Sequence, residues 1–154
     1  MGITLEYYNK NAKSFYLTTK DVDFHVIQDK FLSYLHKRAQ ILDFGCGSGR
    51  DTKYFLDKGY NVEAWDGSKE LCKLASEYTG IQVQNKMFFE LEAVSEYDGI
   101  WACSSILHLP KDELENVLHK MSIALKMDGI IYTSFKYGNF SGWRNSRYFT
   151  DMTE

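Results

Sequence analysis

Three glycines at alternate positions, Gly45, Gly47 and Gly49, stand between two carboxylates, Asp43 and Asp66. Glycine lets a backbone turn tightly and come close to a ligand where a Cβ would collide. The loop Asp43-Phe44-Gly45-Cys46-Gly47-Ser48-Gly49 follows a short apolar run and opens an amphipathic one, the strand-to-helix context that a nucleotide-type fingerprint requires. Asp66 ends the next apolar run, 23 residues after Asp43, where an acid can accept from both hydroxyls of an adenosine ribose. Asp43, before the glycines, can meet an amino group or hold the loop itself. A pyrophosphate would gain nothing from an anion there, whereas a cofactor with a positively charged end would. The spacing is also G-x-G-x-G, not the dinucleotide pattern G-x-G-x-x-G.

The elements that must position these groups alternate in type. Residues 5–17 read as a helix with Thr4 as N-cap, and Val22 to Lys37 as a second, capped by Asp21. Its apolar face would carry Val26, Ile27, Phe31, Leu32 and Leu35. Strands are expected at Gln40–Phe44, Asn61–Trp65, Ile81–Val83, Tyr97–Cys103 and Gly129–Phe135. Between them lie helices from Arg50 to Lys58, closed by Gly59, from the cap Ser68, and from Pro110. Such alternation predicts an α/β, Rossmann-like three-layer sandwich with a mostly parallel sheet. Ligands of such sheets bind outside the carboxyl ends of the strands, at the topological switch point.

The stretch Ile41-Leu42-Asp43-Phe44-Gly45-Cys46-Gly47-Ser48-Gly49-Arg50-Asp51 resembles the first motif of the class I S-adenosylmethionine-dependent methyltransferases. Tyr7–Ala12, Asp66-Gly67-Ser68 and Tyr97–Pro110 are similar to the small bacterial tellurite-resistance-like branch. The resemblance covers residues 5–150 and implies roles position by position. Gly45, Cys46, Gly47 and Gly49 would wrap the methionine part of S-adenosylmethionine, with Asp43 supporting its amino group and Arg50 following the loop. Asp66 would hold the ribose, with Gly67 and Ser68 beside it, and Met87 and Phe88 would flank the adenine. Ser104 and His108 would face the methyl group and its acceptor. Tyr8 and Thr19 match positions that close over the cofactor, so that residues 1–38 form a lid. Met87 stands where the wider family has an Asp, and Lys126-Met127-Asp128-Gly129 where it has a Lys-Pro-Gly turn.

Methyl transfer needs chiefly alignment, because the sulfonium already carries a good leaving group, and alignment supplies much of the acceleration. His108 is the candidate general base, should the acceptor have to lose a proton; the alternative is a loop histidine that only packs or hydrogen-bonds. His25, His36 and His119 read as surface residues and Trp101 as core. Cys46 reads as a small loop residue, without a histidine placed to activate it. Asp51 suits the electrostatics of a helix N-terminus. The many aromatic residues read chiefly as core. The cluster Tyr7, Tyr8, Phe15 and Tyr16 is the first place to look for a wall around a ligand, with the Tyr7/Tyr8 pair balanced between packing and a lid over the cofactor.

The expected sheet has five strands. Only 19 residues follow Phe135, while a helix and two further strands need about 22 before loops are counted. The last two strands of the family are therefore expected to be absent, either from a shortened chain or from a naturally short one that covers its open edge as a homodimer. Bulk properties agree with one domain over residues 1–154. Hydrophobic residues are 44%, charged residues 25%, and the net charge is −3, which gives no reason to expect a nucleic-acid partner. Cys46, Cys72 and Cys103 are odd in number and far apart, so neither zinc site nor disulfide framework is suggested. With no membrane-length apolar run, a cytoplasmic enzyme acting on a small-molecule acceptor follows, with S-adenosylhomocysteine as product. Two alternatives stand beside it: a domain that binds the cofactor but lacks a complete acceptor site, non-catalytic or active only as an oligomer, and an NAD-dependent oxidoreductase.

Overall fold

Strand β1 (Gln40–Phe44) carries Ile41, Leu42 and Phe44 wholly buried, the continuous burial of a strand covered on both faces. The computed structural model describes residues 2–153. In it β2 (Asn61–Asp66), β3 (Gln84–Asn85), β4 (Tyr97–Ala102) and β5 (Leu125–Thr133) join β1 in one parallel sheet of order β3-β2-β1-β4-β5. This is the expected five-stranded α/β sandwich. The order reverses between β1 and β4, so the loops after β1, β2 and β4 converge on one edge.

Side-chain alternation divides the core between the two faces. Leu42, Phe44, Ile100 and Met121 belong to one cluster, Ile41, Phe31, Phe55 and Trp101 to the other. Trp101 is fully buried and stacks on Tyr132 at 4.1 Å between ring centroids. Helices α4 (Arg50–Asp57), α5 (Lys69–Thr79) and α6 (Lys111–Ala124) supply the connections. No helix among the described residues is long and apolar enough to cross a membrane.

The chain departs from the expected elements at both ends. The first helix is two, α1 (Gly2–Lys10) and α2 (Ala12–Thr19), broken at Asn11. Thr4 is not a cap: it is buried within α1 and accepts the Tyr148 N–H. The second helix shrinks to α3 (His25–Leu32), where Asp23 rather than Asp21 accepts the His25 N–H. Of its expected apolar face, Phe31 and Leu32 are buried but Val26 is 71% exposed, because no neighbouring element covers that side. The third strand lies at Gln84–Asn85, after the residues expected to form it. The tail, which shows little strand pattern in sequence, forms a separate antiparallel hairpin, β6 (Ser141–Arg144) and β7 (Arg147–Thr150). Its turn places Asn145 and Ser146 at φ of 47° and 65°, the left-handed pair that suits a two-residue hairpin.

Candidate functional site

The glycine loop is held from two sides. The N–H groups of Gly45 and Cys46 both donate to the Trp65 carbonyl at 2.9 Å. The Gly47 N–H donates to Oδ2 of Asp66 and the Ser68 N–H to Oδ1, each at 2.8 Å. Asp66 thus ties the loop after β1 to the end of β2. Burial raises its carboxyl above the ordinary range, and the two backbone donors oppose that. Each oxygen retains lone-pair capacity for a further donor. Gly45 has φ of +85°, and a Cβ there would lie 2.4 Å from Cβ of Ser105, itself pinned by a 2.6 Å bond to the Phe44 carbonyl.

In front of this loop lies a cavity of about 750 Å³, toward the upper part of the roughly 300–1,000 Å³ typical of small-molecule sites. Tyr8, Thr19, Gly45, Cys46, Gly47, Arg50, Asp66, Gly67, Met87, Phe88, Ser104 and His108 all line it. Asp43, Gly49 and Ser68 do not. Asp43 stands behind the loop, accepting the Thr52 hydroxyl at 2.6 Å; burial and the charge of Asp51 push its carboxyl well above the usual range. Gly49 faces α5, where a Cβ would meet Thr79 at 2.8 Å and Ala75 at 3.2 Å. Ser68 caps α5 by accepting the Leu71 N–H, and its hydroxyl donates to Asn9 of α1 at 2.7 Å. These three shape the site from outside it.

Within the lining, several groups are already engaged. The Thr19 hydroxyl donates to the Phe15 carbonyl. Arg50 pairs with Asp51 and lies 4.6 Å from the centre of the Phe24 ring. Burial and the nearby Asp43 and Asp66 hold the Cys46 thiol well above its ordinary value, so it is no nucleophile. Phe88 packs edge-on against Phe44. Ser104 has φ of 50°, a left-handed conformation uncommon for a non-glycine residue, and its N–H donates to the Ser134 hydroxyl.

Another part of the cavity wall is built from three segments distant in sequence. Nδ1 of buried His108 lies 2.7 Å from the Tyr148 carbonyl, and Nε2 lies 2.8 Å from the Tyr8 hydroxyl. A carbonyl only accepts, so Nδ1 carries the proton and Nε2 accepts from Tyr8. Burial, assisted by the charges of Arg147 and Lys136, pushes the His108 ring down to about 4. The ring is therefore neutral at pH 7. Arg147 reaches the Tyr8 hydroxyl at 3.4 Å from the other side.

A family model described as a methyltransferase domain matches residues 41–129, more than half of the chain. The chain belongs to that family. It is 27% identical over 123 residues to an uncharacterized methyltransferase of Staphylococcus carnosus (strain TM300), covering 75% of this chain and 59% of that protein. It thus spans less than two thirds of this curated relative. The 1,6-didemethyltoxoflavin-N1-methyltransferase of Burkholderia thailandensis, solved with 1,6-didemethyltoxoflavin and S-adenosylhomocysteine bound, superposes with a TM-score of 0.80 at 22% identity, over 99% of this chain and 72% of that one. A TehB-like SAM-dependent methyltransferase from Corynebacterium glutamicum gives 0.70 at 23% identity, over 87% and 73%. At these identities the likeness is one of fold.

The lining of this methyltransferase-family cavity also includes residues that the sequence did not assign to a site, among them Leu5, Phe135, Lys136, Arg147 and Phe149, and Asp51, which it read as a helix start. Asp51 does more than open a helix. Its oxygens accept from Gln28 at 2.6 Å, from Arg50 at 3.0 and 3.2 Å, and from the Trp101 indole at 2.9 Å. For Arg147 and Phe149 the available signal was the Asn145-Ser146 turn, which puts two residues of equal parity on one face of a short strand.

Proposed function

We propose that the chain is an S-adenosylmethionine-dependent methyltransferase acting on a small molecule by direct in-line transfer. The observation that carries this reading is one cavity whose lining brings together the glycine loop, Asp66, Tyr8, His108 and Arg147. One space thereby serves a cofactor half and an acceptor half.

The cofactor half fits the group that the family implies. The Gly45 cradle has no room for a Cβ, and Asp66 keeps acceptor capacity toward the cavity. Gly45, Cys46 and Gly47 would border the methionine part and Asp66 the ribose, with Gly67 beside it. Met87 and Phe88 would flank the adenine, with Tyr8 and Thr19 closing from the lid and Ser104 beside the transferred group. The cofactor, when bound, supplies an activated methyl group on a sulfonium. The chain supplies alignment and a dry wall. A proton released by the acceptor has a neutral nitrogen to go to, Nε2 of His108, reached through or beside the Tyr8 hydroxyl. Asp43 takes the role of loop support here, since Thr52 occupies it.

Kinship with the tellurite-resistance-like branch belongs to the same reading, supported by the Tyr7–Ala12 and Tyr97–Pro110 stretches. So does self-association across the free edge of β5, which light scattering on the purified chain tests; a monomer at micromolar concentration removes it.

Calorimetry with S-adenosylmethionine, S-adenosylhomocysteine and NAD tests the cofactor. Binding of both sulfur compounds and not of NAD is expected, and the reverse pattern overturns the reading. A turnover screen of the isolated chain then separates an enzyme from a domain that only binds.

A further inference from the structure

Arg147 is a cation without an acid. Arg50 and Arg144 are each paired with a carboxylate, Asp51 and Asp151. None of the ion pairs among the described residues includes Arg147. Among the described residues its Nε is buried with no hydrogen-bond partner, and its one bond is the 3.4 Å approach to the Tyr8 hydroxyl. That hydroxyl is already committed to His108. The residue as a whole is half-buried, and a donor held away from water is costly unless something meets it.

The surroundings hold this guanidinium in place. Its centre lies 4.6 Å from the ring centroid of Tyr7 and 5.4 Å from that of Phe149. Lys136, exposed at the rim, lies 5.4 Å from the same Phe149 ring and is likewise in none of the ion pairs. Of the acids that line the cavity, Asp51 is paired with Arg50 and Asp66 is bound to the Gly47 and Ser68 N–H groups. Neither Asp66 nor Glu113 forms an ion pair with Arg147 among the described residues. The lining thus offers Arg147 and Lys136 as unpaired cations among the described residues, with Phe135 and Phe149 as apolar surface.

We propose that the methyl acceptor is an organic anion, bound with its carboxylate against the terminal nitrogens of Arg147 and its apolar body against Phe135 and Phe149. A planar guanidinium matches a carboxylate with two directed, charge-assisted donors. An amine would meet like charge, and a neutral polar group would leave the guanidinium uncompensated. This inference rests on the methyltransferase reading above, because it assigns the occupant of that site's second half.

The test uses the full chain saturated with S-adenosylhomocysteine, whose binding is measured first. Failure at that step sinks the methyltransferase reading and is distinguishable from failure of this one. Benzoate and 3-phenylpropionate are then titrated beside benzamide and 3-phenylpropionamide. At least one acid should bind roughly tenfold or more tightly than its amide, the size of one charge-assisted hydrogen bond. Arg147→Gln should bring that ratio to within about twofold of unity, and Arg147→Lys should retain part of it. The S-adenosylhomocysteine affinity of each variant reports that the fold survives. Equal binding of acid and amide, binding of neither, or an acid preference that persists in Arg147→Gln overturns the proposal.

Discussion

The Tyr8 hydroxyl donates a 2.8 Å hydrogen bond to Nε2 of His108, across a hundred residues of sequence. This bond joins α1 to the segment after β4, and both residues line the cavity. The Thr4–Tyr148 and Asn9–Ser68 bonds hold the same helix on either side of it. Helix α1 is thus latched at a group that could take a proton. If His108 serves as base, His108→Gln should lower kcat by roughly a hundredfold or more, the usual scale of general-base catalysis. S-adenosylhomocysteine affinity, read by calorimetry, should move less than about threefold. Tyr8→Phe leaves Nε2 buried without a donor and should shift both quantities modestly. An unchanged kcat in His108→Gln would reduce the histidine to a packing residue.

The glycine loop gives a sharper contrast. Gly45→Ala demands both a left-handed alanine and room that Ser105 occupies, at 2.4 Å. Its affinity for S-adenosylhomocysteine should fall at least tenfold. Gly59→Ala is the control: its φ is +90° but nothing lies within 4 Å of the new Cβ. It should cost about 1–2 kcal/mol of stability, the strain of an L-residue held in the left-handed region, and leave affinity unchanged. Equal losses of affinity in the two variants would mean that backbone strain, not the cradle, limits binding.

The same loop shows what was legible before the structure. Ile41-Leu42 and Ile100-Trp101 are buried on both faces of their strands, so their apolar runs announced a parallel sheet. The glycine spacing and Asp66 then pointed to a loop that lines the cavity, while Asp43 stands behind it. The contacts that lay hidden are those made between distant segments. Asp51 takes donors from Gln28, Arg50 and Trp101, while its own neighbourhood shows only a helix start. Arg147 reads in isolation as a solvated surface charge. Its hairpin has four-residue strands, includes Gly142 and turns without a glycine, so local pattern says little. Val26 and Ile27 fail in the opposite direction, since apolar spacing cannot tell whether a partner exists to cover it.

Asp51 carries the third prediction. Asp51→Ala leaves the Arg50 guanidinium, the Trp101 indole and the Gln28 amide without their acceptor in a largely buried place. Breaking a buried pair from one side typically costs about 3–5 kcal/mol. Asp51→Asn keeps one acceptor oxygen and should lose less. The measurement is urea unfolding followed by circular dichroism, with exposed Asp112→Ala expected within about 0.5 kcal/mol of the parent. A parent-like midpoint for Asp51→Ala would show that the network is replaceable by water.

The last prediction concerns pH, and the sign follows from which state binds more protons. Burial pushes His108 from 6.5 down to about 4 in the folded chain. Between those values the unfolded state is the more protonated, so stability is complete above about pH 6.5 and falls as the pH drops toward about 4. The loss is on the order of 2–3 kcal/mol, from about 1.4 kcal/mol for each pH unit of displacement. Asp43 works the other way. Its folded carboxyl is raised well above 3.8, so its contribution is present at acid pH and lost as the pH rises through the folded value. His25 and His36, raised by Asp23 and by the Lys37 carbonyl with Asp98, also favour the folded state on the acid side. A single stability curve therefore mixes slopes of both signs. The difference between the parent chain and His108→Gln removes the shared terms, provided each is measured by urea unfolding at matched pH. That difference should be flat above about pH 6.5 and should shift in favour of the glutamine variant as the pH falls toward 4. A difference independent of pH would mean that His108 is not held neutral by its burial.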